Sequence, residues 1–88
     1  MFEWDNKKNK INIEKHSIDF SLAIEVFQDK SAYEVNRIVN NEIRSKFVGA
    51  IDDVVLSVIY TIRDDKYRII SVRCASKTER RIYYENKK

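Results

Sequence analysis

Arginines on predicted strands near the C-terminus are the residues best suited to chemistry. The segment from Arg68 to Arg80 begins as a β-type run, passes through Arg73 and continues into a basic helix with a capped start. Arg63 lies on the preceding predicted strand. A guanidinium can donate two parallel hydrogen bonds to one phosphate, so arginines on a sheet face are suited to hold phosphates. These residues point to a nucleic-acid ligand.

Three other residues could move a proton or stabilise charge. His16 is the one histidine of the chain, and an imidazole can act as general acid or base near neutral pH. Glu42 shares a strand face with Arg44 and Lys46, and there it would accept a proton or orient a catalytic arginine. A helix-end cap would equally explain the histidine, and a surface ion-pair ladder would equally explain the strand. The sequence leaves these alternatives open.

The first predicted helix carries a polar face. Lys8, Asn12, Lys15 and His16 are spaced at i, i+4, i+7 and i+8, which places them on one side of a helix. This face is either an RNA-binding wall or a solvated surface. Lys77 and Arg80 add cations on the last predicted helix, and we include them with Lys8, Asn12 and Lys15 as candidate RNA contacts.

Composition narrows the class of protein. With 88 residues the chain is expected to form a single domain over 1–88. Its 17 Lys and Arg against 14 Asp and Glu give a formal charge of +3, too small to argue for nucleic acid without a pattern. One cysteine excludes an internal disulfide, and one histidine leaves no metal-ligand spacing, so neither metal nor cofactor is predicted. No apolar run is long enough for a membrane span, and we expect a reducing cytoplasm.

The elements follow from capping signals and periodicity. Asp5 is placed to cap a helix over 6–16, and Ser76 with Glu79 forms a capping box for a last helix reaching about residue 85. The stripe Phe20, Ala23, Ile24 and Phe27 predicts a second, core-facing helix with Asp19 at its cap. Alternation predicts strands over 2–4, 31–38, 42–51, 54–63 and 67–74.

The loop between the two clearest strands sets the faces of the sheet. A three-residue loop over 64–66 pairs Arg63 with Tyr67, which keeps apolar side chains, including Ile70, on one face. Ile69 then lies on the part-polar face with Arg73. A two-residue loop would instead place apolar and polar side chains together on each face. We therefore predict an α+β fold: a small antiparallel sheet with two N-terminal helices and one C-terminal helix on one side.

Taken in order, these segments resemble the BrnT family of bacterial toxins. The stretches that carry the resemblance are Phe2-Glu3-Trp4-Asp5 with Lys8 and Asn12, Lys15-His16, Phe20-Ser21-Leu22-Ala23, Val26-Phe27-Gln28-Asp29, Glu42-Ile43-Arg44, Gly49, Tyr60-Thr61-Ile62-Arg63, Arg68 to Arg73, and Glu79-Arg80-Arg81 with Tyr83 or Tyr84. They span nearly the whole chain. One departure is Ser17, where a glycine commonly follows the Lys-His pair, so we expect the backbone to turn there without a positive φ.

The resemblance implies a RelE-like fold that cleaves RNA without a metal. It also implies neutralisation by a small cognate antitoxin, which itself binds the operator DNA. His16 or Glu42 would then be the base, and Arg44, Arg63 and Arg73 would stabilise charge. A degenerate toxin that only binds its antitoxin and serves in autoregulation, and an RNA-binding domain without a toxin role, are the alternatives.

Overall fold

A computed structural model describes residues 1–87, and Lys88 lies outside the described residues. The elements in chain order are β1 (Phe2–Trp4), α1 (Asn6–His16), α2 (Leu22–Val26), β2 (Tyr33–Val39), β3 (Glu42–Ile51), β4 (Val54–Arg63), β5 (Lys66–Cys74) and α3 (Lys77–Lys87). The α+β class is as predicted, and the element ends lie close to the predicted ones. α2 is the shortest helix, with five residues.

The five strands form one mixed sheet in the order β1-β5-β4-β3-β2. The strands β2 to β5 pair antiparallel, but β1 runs parallel to β5, with Phe2 beside Tyr67. The prediction of a purely antiparallel sheet is therefore wrong. Side-chain alternation marks a strand but carries no information on its direction, so the pattern of residues 2–4 could not reveal the parallel pair.

A bulge in β5 explains why the predicted hairpin is right at one end and wrong at the other. Asp64 and Asp65 have φ values of 50° and 62° and form a two-residue turn, so Arg63 pairs with Lys66 and the three-residue loop is wrong. Further along, Ile59 opposes Ser71 while Tyr60 opposes Ile69, which leaves Ile70 as an extra residue. Beyond this bulge Ser57 opposes Arg73, as predicted.

Helices pack on both faces of the sheet. On one face, the α2 region contributes Phe20 and Val26 to a core with Val58 and Val72 of the sheet. Val55 points to the opposite face. There it packs with Tyr83 of α3, with Val48 of β3 and with Ala75, which precedes α3. The expectation that all helices lie on one side is therefore wrong. The bulge also moves Ile69, which is 1% exposed, into the first core rather than the part-polar face.

The connection from α1 to α2 reverses sharply at Ser17. The φ of Ser17 is 59°, and its backbone N–H donates to the Ile13 carbonyl at 2.8 Å. The expectation that this residue would avoid a positive φ is wrong, because the turn that ends α1 requires the left-handed conformation whatever residue occupies it. The reversal places Ile18 and Phe20 in the core, while Ile24 of α2 faces outward, contrary to the predicted stripe.

Gly49 allows α2 to lie close against β3. A Cβ at this position would meet the Ala32 Cβ and the Val26 Cγ1 at 3.1 Å, and the Val26 carbonyl oxygen at 3.2 Å. These contacts are tighter than ordinary van der Waals distances. A side chain at this position would therefore require its neighbours to shift by a few tenths of an ångström.

The two long edges of the sheet differ. β1 covers β5 only as far as the pair Trp4 and Ile69. Beyond that pair, the buried Asn12 amide takes the place of a strand: it donates to the Val72 carbonyl at 2.8 Å and accepts from the Val72 N–H at 3.2 Å. It also donates to the Ile18 carbonyl at 3.0 Å. At the other end β2 is the outermost strand, with seven residues.

Candidate functional site

The part of the sheet that α3 leaves open contains a basic pocket. Its cavity of about 330 Å³ is lined by Val35, Arg37, Val39, Arg44, Ser45, Lys46, Ile59 and Arg73. Arg37 and Arg44 are directly opposed on β2 and β3, and Lys46 is opposed to Ile59 on β4. Four cationic side chains from three strands therefore converge on one hollow, which is also lined by the apolar residues Val35, Val39 and Ile59.

Glu79 on α3 orders two of these cations. Arg73 donates to its two carboxylate oxygens at 2.7 and 2.9 Å, and the Lys46 Nζ lies 2.9 Å from Oε2. The Glu79 side chain is only 6% exposed. Burial acts to raise its pKa, but hydrogen bonds from Arg73, Lys46 and the Ser76 amide hold that pKa far below the ordinary 4.5. The carboxylate therefore stays ionised and is a poor proton acceptor at neutral pH.

The predicted capping box places Glu79 at this point. The Ser76 N–H donates to Glu79 Oε1 at 2.8 Å, and the Glu79 N–H donates to Ser76 Oγ at 3.1 Å. Both halves of the motif are present, so this prediction is confirmed. The same carboxylate thus closes the first turn of α3 and faces the basic pocket.

The pocket concentrates positive charge and free donors. Four cations and the Glu79 carboxylate leave a local excess of three charges, equal to the formal net charge of the whole chain. The Arg44 Nε is buried and has no hydrogen-bond partner among residues 1–87, and the same is true of the Ser57 Oγ, whose residue opposes Arg73. Leaving a buried donor unpaired is costly, but this Nε has almost no accessible surface, so an anion in the pocket would be attracted by the Arg44 charge and not by this donor.

Glu42 and Arg63 lie together in a second hollow at the end of the sheet, which adjoins the basic pocket at Ser45. The Arg63 guanidinium donates to Glu42 Oε2 at 3.0 Å. This hydrogen bond lowers the pKa of the Glu42 carboxyl. The hollow has a volume of about 540 Å³ and is also lined by Asn40, Asn41, Ile43, Ser45, Thr61 and Ile62. Neither of the two residues lines the basic pocket.

The predicted polar face of α1 forms a third hollow, which we call the helix groove. It has a volume of about 190 Å³ and is lined by Lys8, Ile11, Asn12, Lys15, His16, Ile70 and Ser71. Lys8, Lys15 and His16 are exposed, whereas Asn12 is buried at the base with its amide bonded to Val72 and Ile18. Asn12 therefore supports the sheet edge in this structure, and its amide donors are already used.

The candidate residues are thus divided among the three hollows, except for Lys77 and Arg80. Arg44 and Arg73 line the basic pocket, while Lys77 and Arg80 lie exposed on α3 outside all three hollows, with Arg80 donating to the Ala75 carbonyl at 2.8 Å. Within residues 1–87, no three His, Cys, Asp or Glu side chains are placed to hold a metal ion.

Sequence reasoning missed Arg37, Lys46 and the second role of Glu79. Alternation on the weakly patterned β2 places Arg37 on the same side as Tyr33 and Val35, but only the register with β3 brings it opposite Arg44. Lys46 shares a strand face with Arg44, and this spacing is the signal in the sequence that could have identified it. Glu79 was identified only as a cap, because its contact with Arg73 requires knowing that α3 returns to the polar face.

A family model supplies the independent comparison. The model that matches is described as "Ribonuclease toxin, BrnT, of type II toxin-antitoxin system", and it matches residues 4–79. The chain belongs to the BrnT family. The match includes every side chain of the basic pocket and ends at Glu79. A comparison with curated proteins finds no significant match.

Membership of the BrnT family makes the chain a toxin of a type II toxin-antitoxin system and implies an antitoxin as its partner. It also associates this BrnT chain with ribonuclease activity. Among the described residues, the helices are all too short or too polar to span a membrane.

Proposed function

We propose that this BrnT chain is an endoribonuclease whose RNA phosphate binds in the basic pocket. The observation that carries the proposal is the convergence of four cationic residues on one hollow: Arg37, Arg44, Lys46 and Arg73. The apolar floor formed by Val35, Val39 and Ile59 would contact a base or ribose. A RelE-like character of the fold, which the family resemblance implies, is part of this proposal.

The proposed reaction needs no metal. The ribose 2′-oxygen attacks the adjacent phosphorus, its proton passes to a base, the bond to the 5′-oxygen breaks, and an acid protonates that oxygen. Arg44 and Arg73 would stabilise the additional negative charge on the phosphorane oxygens. Cations that are fixed before the reaction, as Arg73 is by Glu79, cost no reorganisation when the charge develops.

Two residues remain candidates for the base. His16 lies in the helix groove, and Glu42 lies in the hollow at the end of the sheet, paired with Arg63. We propose Arg63 as the group that orients Glu42 or stabilises charge beside it. Substituting His16→Ala and Glu42→Gln separately would assign the base, because the correct one should lower the cleavage rate about 10²- to 10⁴-fold without abolishing RNA binding.

We further propose that the toxin acts in the cytoplasm and that its antitoxin both neutralises it and carries the contact with operator DNA. Lys8, Lys15, Lys77 and Arg80 are proposed as RNA contacts outside the pocket. Asn12 is left out of this set because its amide is bonded within the protein.

The test is induction of the chain in bacterial cells, with and without the neighbouring small open reading frame, while growth and total RNA are followed. Arg44→Ala and Arg73→Ala should each relieve growth arrest and RNA breakdown, whereas Arg81→Ala, an exposed α3 residue outside the hollows, should not. Unchanged toxicity in both pocket variants, given folded protein, would show that the site is placed wrongly.

A non-enzymatic binding role is supported by one observation. The one carboxylate that contacts the pocket cations among the described residues is Glu79, which is already paired, and no histidine lines the pocket. A binding module would bind RNA or antitoxin with the same residues but leave purified RNA intact. Incubating the purified chain with RNA and separating the products by size distinguishes the two roles.

A further inference from the structure

The basic pocket and the helix groove are neighbours across one strand pair. Ile59 lines the basic pocket and Ser71 lines the helix groove, and these two residues are directly opposed on β4 and β5. Lys46 in turn opposes Ile59 from β3. A row from Lys46 through Ile59 to Ser71 therefore joins the two hollows without an intervening element.

The bulge in β5 lies where the row from Lys46 to Ser71 reaches the helix groove. Ile70 is the extra residue, and it lines the helix groove together with Ser71. A bulge bends its strand and increases the local twist. In this fold that distortion lies where the open face of the sheet meets α1, beside the exposed Lys8 and Lys15. Among residues 1–87, no carboxylate lines this groove.

We propose that the helix groove is a second phosphate subsite, and that single-stranded RNA runs from the basic pocket across β5 into it. The proposal rests on the proposed function, because it takes the basic pocket as the first subsite. Lys8 and Lys15 would contact the phosphates that follow the one held by Arg44 and Arg73.

The spacing sets the length of RNA. Adjacent strands lie about 4.8 Å apart, so the Cα atoms of Lys46 and Ser71 are separated by roughly 10 Å. A dinucleotide has one internucleotide phosphate, so it cannot place phosphates in two subsites separated by this distance. It would therefore fill only the basic pocket, whereas a longer single strand such as an octanucleotide would reach both subsites.

The path from the basic pocket across β5 into the helix groove, which we call the track, favours single-stranded over duplex RNA. The basic pocket lies on one face of the sheet, while α1 packs against β5 at its edge, where Asn12 bonds to Val72. A ligand that contacts both must bend over one strand. Duplex nucleic acid is stiff on this scale, and a single strand is not.

The experiment measures binding of fluorescent RNA by anisotropy between 50 and 200 mM salt. The probes are a 2-nucleotide strand, an 8-nucleotide strand and the matching 8-base-pair duplex, all carrying 2′-O-methyl groups so that no 2′-hydroxyl can attack. The double variant Lys8→Ala with Lys15→Ala is compared with Lys7→Ala with Lys10→Ala. The control pair makes the same charge change on α1, outside the groove.

For the 8-nucleotide strand, the groove variant should make the negative slope of log affinity against log salt shallower by about 1.4. This change corresponds to the loss of two phosphate contacts. It should leave the dinucleotide unaffected, and the control pair should match the unaltered chain. The duplex should bind at least tenfold more weakly than the single strand.

Other outcomes overturn the proposal. Equal losses in both lysine pairs would mean diffuse attraction rather than a subsite, and equal binding of duplex and single strand would contradict the choice of a single strand. If the unaltered chain binds none of the probes, the basic pocket fails as the first subsite and the track fails with it. If Arg44→Ala weakens the 8-nucleotide strand while the lysine pair changes nothing, the track alone is wrong.

Discussion

Glu79 is the residue on which the most contacts of the site depend. Its carboxylate accepts from Arg73, Lys46 and the Ser76 amide, while its own N–H bonds back to Ser76. A buried carboxylate is expensive unless it is fully paired, and here both oxygens have cationic or amide donors. One side chain therefore couples the start of α3 to the positions of two pocket cations.

We expect Glu79→Gln to lower the free energy of unfolding by about 1 to 3 kcal/mol at pH 7, because a neutral amide leaves Arg73 and Lys46 without their charged acceptor. The pKa of Glu79 is lowered in the folded protein, so its contribution is complete above the ordinary value of 4.5 and is lost as the pH falls below it. Urea unfolding at several pH values should show the two proteins converging in acid.

The matched control for this change is Glu85→Gln, an exposed position on the same helix. It should unfold like the unaltered chain at every pH. A stability loss of equal size in both variants, or one that persists unchanged at low pH, would contradict the role given to the Glu79 carboxylate.

At the scale of elements, local signals were predictable and long-range ones were not. Asp5 accepts from the Lys7 and Lys8 amides, and the Ser76 box forms, because caps involve residues only two or three positions apart. The bulge at Ile70 accompanies a two-residue turn and the packing of Ile69 in the core, and that core is built from distant parts of the chain. The face chosen by α3 likewise depends on Val48 and Val55 far away in sequence.

Ser17 offers a test of element geometry. Its φ of 59° is a conformation that costs a residue with a Cβ roughly 1 kcal/mol and costs glycine little, so Ser17→Gly should raise the free energy of unfolding by about 0.5 to 1 kcal/mol. Thermal unfolding followed by circular dichroism would measure the gain.

Ser21 provides the comparison because its φ of −59° is ordinary helical backbone. Ser21→Gly should lower stability by roughly 0.5 to 1 kcal/mol through added freedom of the unfolded chain. If both substitutions change the free energy of unfolding in the same direction, the left-handed conformation at Ser17 does not carry the predicted energetic cost.

At the scale of the molecule, Asp29 joins elements from both faces of the sheet. Its carboxylate accepts from the Tyr83 hydroxyl of α3 at 2.6 Å and from the Ala50 amide of β3 at 2.8 Å, just after α2 ends. α3 is therefore fixed at its centre by Asp29 and at its start by Glu79. These two contacts fix the part of the sheet that α3 covers, and they thereby fix the uncovered part that contains the basic pocket.

Alkaline pH should release the Tyr83 contact. Burial, and then the hydrogen bond to Asp29, raise the pKa of Tyr83 to about 12 from an ordinary 10.0. A raised pKa means that the contribution is complete below pH 10 and is lost as the pH rises toward 12. Tyr83→Phe should cost about 1 kcal/mol at pH 7 and should show a shallower loss of stability between pH 10 and 12.

The neighbouring Tyr84, which is 47% exposed, supplies the control. Tyr84→Phe should keep the alkaline loss of the unaltered chain. Tyr60, whose pKa is also raised to about 12, is present in all three proteins, so some alkaline loss will remain in each. Identical alkaline curves for Tyr83→Phe and the unaltered chain would contradict the Asp29 contact.

The unequal edges of the sheet bear on how copies of this chain can polymerise. The β5 side is closed by the three-residue β1 and by Asn12, so within residues 1–87 β2 is the one edge with a long run of backbone to share. A filament built by strand addition needs two such edges on every molecule. Edge pairing here would join one β2 to another and then stop, giving a closed pair related by a two-fold axis.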